Sequence, residues 1–285
     1  MWQCVKQQVS AAIHAPFELT HKHPLNTHSA FKHYKISDAS QSFLVKVAPI
    51  AQFELFEAEA NARYILTRDS DFIIADTITL GKSKEFAFMV LEFLEDINSK
   101  DDWYLCGETL AKMHIRCEQE MFGCDEDNYV IGQPQPNHWH KKWHIFFAEE
   151  RLGFQLQLLA EQNTKLVDID EFVQVIKPHI PHHVSPSLLH GHFWKGNIRF
   201  YHGKPMLLDP ASYYGDKFVD IATAELFATL PDGFYAGYQS ITSIELTPLL
   251  RDIYQLYPLL LMANRFAGDY INQSKDKIKH ILEQL

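Results

Sequence analysis

Cysteine is scarce in this chain. Only Cys4, Cys106, Cys117 and Cys124 occur in 285 residues, and no two are spaced as CxxC. That excludes a disulfide framework, a zinc knuckle and a thioredoxin-like redox pair. Long apolar runs are missing too, since no window reaches the roughly 18 uninterrupted apolar residues of a spanning helix. The N-terminal MWQCVKQQVSAAIHAPF reads as a short amphipathic helix and lacks the basic start, apolar run and cleavage site of a signal peptide. Together these absences point to a reduced, cytoplasmic protein. Basic charge is also in deficit, with 26 Lys and Arg against 36 Asp and Glu, a net charge of −10. Nucleic acid and anionic membranes demand a basic footprint, so neither is an expected partner. A small anionic ligand held by a few local groups remains compatible. What the chain has in plenty is apolar residues, at 46%, and histidine, at 16 copies.

The apolar pattern divides the chain. Short partly alternating runs at Phe17–Leu19, Phe31–Ile36 and Phe43–Val47 read as a strand meander. Gln52–Leu66 switches to helical spacing, and Phe72–Thr79 and Phe86–Phe93 read as two further strands around a turn at Gly81–Lys84. A helix set within mostly antiparallel strands implies a small α+β lobe, residues 1–95. Residues 96–285 read as a second, mainly helical lobe. Its helices are expected over Trp103–Cys117, from Pro136-Asn137 to about Gln162 with Asn137 as N-cap, and over Asp168–Pro178. A β-hairpin, Ile198–Tyr201 with Pro205–Leu208, is embedded before a helical remainder from Phe218.

The hairpin region, LLHGHFWKGNIRFYHGKPMLLDPASYYGD, carries the chemistry. Phosphoryl transfer from ATP needs a group to take the acceptor hydroxyl proton and oxygen ligands that hold Mg2+ against the phosphates. In kinase catalytic loops the base precedes the metal-binding Asn by five positions, and a second metal ligand opens the next loop. His192 stands five before Asn197, and Asp209 follows the hairpin. In the first lobe, Phe43-Leu44-Val45-Lys46-Val47 buries a lysine in a strand, where it needs an anionic partner. Glu57 and Glu59 on the next helix are the candidates. Val90-Leu91-Glu92-Phe93-Leu94 sits at the lobe junction, where backbone groups can meet adenine.

FLVKV, LFEAEA, VLEFLED, PQPNHWHKKWHIFFAEERLGFQL, LLHGHFWKGN and LLDPASYYGDKFVDIA, in that order, resemble the fructosamine/ketosamine kinase family over nearly the whole chain. That family is related to aminoglycoside and choline kinases. The resemblance implies a protein-kinase-like two-lobed fold and ATP-dependent phosphorylation of a hydroxyl of ketoamine sugars on small or protein-linked amines. The phosphorylated adduct then tends to fall apart, reversing early glycation. It also implies roles: Lys46 on the ATP phosphates with Glu59 orienting it, Glu92 and Leu94 at the adenine hinge, and Asn197 and Asp209 on Mg2+. Trp194 would wall the sugar, and Asp220 would brace the catalytic loop.

Two positions depart from the family pattern. His192 stands where the family has its catalytic Asp, and Pro24-Leu25-Asn26-Thr27-His28-Ser29 lacks the glycine pair expected over the phosphates. Imidazole is the stronger base, yet it is bulkier and brings no negative charge to Mg2+. The alternative reading is a pseudokinase that binds nucleotide or glycated ligand with little turnover. Other histidines take structural readings. His138, His140 and His144 contain an i,i+4 pair without HExxH among packing aromatics. His21, His23, His28 and His33 scatter around the expected phosphate loop.

Overall fold

A computed structural model describes residues 1–25, 31–95, 101–116 and 118–285. The expected phosphate-loop residues Asn26–Ser29, and Cys117, lie outside the described residues. The architecture is α+β and two-lobed. The first lobe is a five-stranded antiparallel sheet in the order β1-β2-β3-β5-β4, formed by β1 (His21–Leu25), β2 (Lys32–Ser37), β3 (Ser42–Pro49), β4 (Thr77–Lys82) and β5 (Phe86–Glu92). Strand alternation sorts β3 between two cores. Phe43, Val45 and Val47 pack with Phe88 and Val90 beneath α1 (Trp2–Ala12), through Val5 and Val9. Leu44 and Ala48 point the other way, towards Phe56 of α2 (Phe53–Asp69) and towards Met89 and Leu91. Lys46 shares that second face.

Two strand expectations need correction. The first strand is His21–Leu25 rather than Phe17–Leu19, because Phe17 is fully buried as an anchor edge-on to Phe43. The strand expected at Phe72–Thr79 begins only at Thr77. Phe72 and Ile74 instead enter the core of the second lobe. Between them, Ile73 N donates to Pro205 O (3.0 Å) and Leu207 N to Ile73 O (3.1 Å). This short ladder ties the first lobe to the embedded hairpin, β9 (Ile198–Tyr201) with β10 (Lys204–Leu207).

The second lobe is helical around that hairpin. Helix α3 (Trp103–Ile115) is capped by Asp102, which accepts from Leu105 N. Short strands β6 (Asn128–Val130) and β7 (Gln133–Gln135) pair next. The helix expected from Asn137 starts only at Trp143, as α4 (Trp143–Phe146), a π-helical turn (Phe147–Gly153) and α5 (Phe154–Glu161). Asn137 is not its cap. Its Oδ1 accepts from Arg151 Nη2 (2.6 Å), its Nδ2 donates to Glu126 O (3.0 Å), and Pro136 O also accepts from Arg151. Arg151, fully buried, stacks on Phe146 and Tyr213. A tertiary anchor therefore claims the residues that locally resemble a cap. Helices α6 (Ile169–Ile176), α7 (Phe218–Phe227), α8 (Asp232–Gln239), α9 (Pro248–Phe266) and α10 (Asp269–Glu283) complete the lobe, and β8 (Ser187–Leu189) pairs with β11 (Tyr213–Gly215). Among the described residues no helix is long and apolar enough to cross a membrane.

Helices α3 and α8 meet backbone to backbone. A Cβ on Gly107 would lie 1.9 Å from Phe234 O, and one on Gly237 would lie 2.0 Å from Tyr104 O. Gly107→Ala is therefore expected to lower the unfolding free energy by about 1–3 kcal/mol, the usual cost of overpacking. Urea titration checks this, and an unchanged midpoint would mean that the two helices can part without cost.

Candidate active site

The cleft is organised by one buried ammonium. Lys46, 1% exposed, donates to Glu59 Oε1 (2.6 Å) and Oε2 (2.8 Å) and to Asp209 Oδ1 (2.5 Å). Three distant pieces of chain, β3, α2 and the turn after β10, converge on one cation. Glu59 is buried and Glu57 exposed, which settles which glutamate faces the lysine. Arg63, one helical turn on, donates Nε to Glu59 Oε1 (2.9 Å) and Nη1 to Ala75 O (3.1 Å). Burial alone would raise the Asp209 carboxyl, but Lys46, by charge and by hydrogen bond, holds it well below the ordinary carboxylate range.

The loop after β8 faces this cluster. Leu208 N donates to Asn197 O (2.9 Å), which sets Asn197 beside Asp209. The Asn197 amide Nδ2 donates to His192 O (3.0 Å) and lies 3.0 Å from His192 Nδ1. With the nitrogen so used, Oδ1 is the atom left for a cation. In this arrangement Nδ1 of His192 accepts, so its neutral ring carries the proton on Nε2. Burial lowers the His192 pKa, which favours that neutral form. Trp194 is half-buried, with its ring 6.3 Å from that of His192 and edge-on to Phe227 at 5.8 Å.

Asp220, on the first turn of α7, holds the loop from behind. Its Oδ2 accepts from His190 N (2.7 Å) and its Oδ1 from Gly191 N (3.1 Å). His114 of α3 lies 3.4 Å from Asp220 Oδ2 through Nε2, and 2.9 Å from Tyr238 OH of α8 through Nδ1. Gly191 has φ +77°, and a Cβ there would come 2.1 Å from Ala211 O, so this turn requires glycine. His190 is fully buried, its Nε2 at 3.0 Å from Leu208 O and its Nδ1 accepting from His192 N (3.2 Å). Burial lowers its pKa to about 4.

The residues expected at the hinge lie at the end of β5, where Glu92 N donates to Asp76 O (2.9 Å) and Leu94 follows two residues on. Lys46, Glu59, Asn197, Asp209, His192 and Trp194 are thus gathered, with Asp220 directly behind. Sequence reasoning missed Arg63, although its i+4 spacing from Glu59 was visible, and His114, 106 residues from its partner Asp220. His138 and His140 do not share a helix with His144. Each approaches Glu150, while His144 stacks on His182 with ring centroids 3.8 Å apart. Among the described residues, no three His, Cys, Asp or Glu side chains gather as a metal site.

The family model for fructosamine kinase matches residues 1–284. A "Probable ketoamine kinase" of Vibrio parahaemolyticus is 38% identical, the match covering 99% of both chains. A "Probable ketoamine kinase YniA" of Escherichia coli K12 is 33% identical over 98% of this chain and 99% of its own. The crystal structure of a "putative fructosamine-3-kinase" from Haemophilus somnus superposes with a TM-score of 0.93 at 30% identity, covering 99% of this chain and 98% of that one. An aminoglycoside phosphotransferase solved with ADP and hygromycin B, at 13% identity and a TM-score of 0.61, shares the fold.

The buried histidine behind the loop gives stability a pH signature. His190 has a folded pKa of about 4 against 6.5 when exposed, so the unfolded chain binds more protons between those values. Its contribution is whole above pH 6.5 and is lost as pH falls towards 4, by roughly 3 kcal/mol if the shift is fully expressed. The melting temperature should drop across that window, and less steeply in His190→Gln. Parallel pH profiles for the two proteins would contradict this assignment.

Proposed function

This chain belongs to the fructosamine kinase family, a family of phosphotransferases, and we propose that it moves the γ-phosphoryl group of ATP onto a hydroxyl of a ketoamine sugar. The sugar is carried on a small amine or on a protein side chain. The observation that supports this reading best is the Lys46 ammonium held between Glu59 and Asp209 and facing the Asn197 loop. Lys46 would take the ATP phosphates, and Glu59, itself held by Arg63, would aim it. The Glu92 carbonyl and Leu94 backbone would meet adenine.

The donor set fits Mg2+. One carboxylate and one amide oxygen are what this ion takes from protein when phosphates and water complete its octahedron. Asp209 stays ionised to low pH, and Asn197 has Oδ1 to spare. When bound, the ion neutralises charge on the transferring phosphate. Trp194 would wall the sugar, and Asp220 would keep the His190–His192 turn in register with Asp209.

His192 would receive the sugar hydroxyl proton. With Nδ1 accepting from Asn197, Nε2 is a donor, so accepting a proton requires the ring to exchange its bond with Asn197 or to shift its own proton. Binding should therefore be less affected than turnover by having histidine here. A misplaced general base typically costs 10²–10⁴-fold in rate.

The deciding assay measures phosphorylation of fructosyl-lysine and ribulosyl-lysine with Mg-ATP. Unmodified protein should transfer phosphate, Asp209→Ala should lose activity, and His192→Asp should raise kcat on the order of 10²-fold with little change in ATP affinity. ATP binding without transfer in the unmodified protein, together with transfer by His192→Asp, would make this chain a nucleotide-binding pseudokinase. Failure of both proteins to bind ATP would reject the kinase reading.

A further inference from the structure

Within the cleft one buried polar atom has no use in the scheme above. His33 lies on β2 directly opposite Lys46 of β3. Residues paired across antiparallel strands project to the same face, so the imidazole and the Lys46 side chain point together towards the cleft. The residue is 7% exposed, and its Nε2 is buried with no hydrogen-bond partner among the described residues. The charged groups that act on it are Lys46, Asp209, Glu59 and Arg63, the same four that organise the candidate active site. Leaving a polar nitrogen buried and unpaired is unfavourable. A leucine of similar size would avoid that cost, so packing alone does not account for a histidine here.

We propose that His33 Nε2 is a side-chain contact for the phosphates of the bound nucleotide, an N–H donor built into the roof of the cleft beside Lys46. The inference rests on the ATP-dependent reading and adds a contact to it. With the ring in its Nε2–H tautomer the partner is an acceptor, and the adjacent Lys46 ammonium draws an anionic acceptor to this spot. Adenine is excluded as that partner by position, since the hinge end of the sheet is set by Phe43 opposite Glu92, three residues along β3 from Lys46. Burial, and after it the Lys46 ammonium, lower the His33 pKa to about 4, so at neutral pH the ring is a neutral donor that does not repel Lys46. A side-chain donor in this place also suits a chain whose expected phosphate-loop sequence, Pro24-Leu25-Asn26-Thr27-His28-Ser29, contains no glycine.

The test compares ATP and adenosine binding, by calorimetry or competition, in unmodified protein, His33→Leu and His33→Gln. His33→Leu should weaken ATP by roughly ten- to a hundredfold, as for loss of a hydrogen bond to a charged group. Adenosine should bind it as it binds the unmodified protein. His33→Gln, which keeps an N–H donor, should recover part of the loss. The melting temperature of nucleotide-free His33→Leu should equal or exceed that of the unmodified protein, since an unpaired polar group has been removed. Equal ATP affinity in the leucine variant, or equal weakening of ATP and adenosine, would overturn the proposal and assign His33 to packing. Unmodified protein that binds no ATP would defeat the kinase reading itself, a result distinct from either of these.

Discussion

The structure depends on a positive charge placed where water cannot reach it. Desolvating an ammonium costs several kcal/mol, and only close, well-formed anionic contacts offset that cost. Lys46 finds them in Glu59, from the helix behind the sheet, and in Asp209, from the other lobe. The requirement is partly reciprocal, since buried Glu59 needs cations around it and half-buried Asp209 is held ionised by the lysine. A sheet, a helix and a loop that are far apart in sequence are thereby obliged to meet at one point. Arg63 closes the set from the helix side, so two cations face two carboxylates. An apolar cluster of the same volume would hold these elements together at least as well. What it could not do is present a cation to an anionic ligand, which is the use the proposed function makes of it.

A second constraint keeps the loop opposite that cluster in place. Asp220 accepts two successive backbone N–H groups, those of His190 and Gly191, which fixes the turn from behind. Asp220 is in turn backed by His114, and His114 by Tyr238, so the brace runs through α7, α3 and α8. The close approach of Gly107 and Gly237 is what lets α3 and α8 carry that relay. On the other side, the Ile73 ladder to Pro205 and Leu207 couples the hairpin that ends in Asp209 to the first lobe. The metal-ligand candidates are therefore held from both lobes, although both are on loops.

Much of this was legible in the sequence, and what was legible was local. Lys46 stood out because a lysine inside FLVKV alternates onto a buried face. The five-residue interval from His192 to Asn197, and an aspartate after an apolar strand, survive as spacing whatever the surroundings. What failed to show is what depends on partners far along the chain. His114 and Asp220 are 106 residues apart, and nothing near either of them announces the other. His33 looked like one histidine of several until strand register put it across from Lys46. Pro136-Asn137 imitates a helix start by every local criterion, yet Arg151, fourteen residues beyond Asn137, takes the side-chain oxygen that a cap would use, and Cys124 N takes the Asn137 carbonyl. Spacing alone left Glu57 and Glu59 equivalent, the family resemblance chose Glu59, and burial separates the two in the same sense.

The charge count of the cleft explains what a histidine at position 192 changes. Lys46 and Arg63 balance Glu59 and Asp209, so these contacting side chains sum to zero as long as His192 is neutral, and burial favours that. An aspartate at 192 would make the set net negative. That extra charge would repel the incoming phosphates and be acceptable chiefly in the company of Mg2+, whereas it would supply a carboxylate directly to the acceptor hydroxyl. The neutral imidazole removes the repulsion and, with Nδ1 committed to Asn197, also removes the ready acceptor. One substitution thus moves the same site towards holding nucleotide and away from rapid proton transfer. Three of the 16 histidines thus meet around this cluster in different settings: His190 buried behind the loop, His192 bonded to Asn197, and His33 across from Lys46.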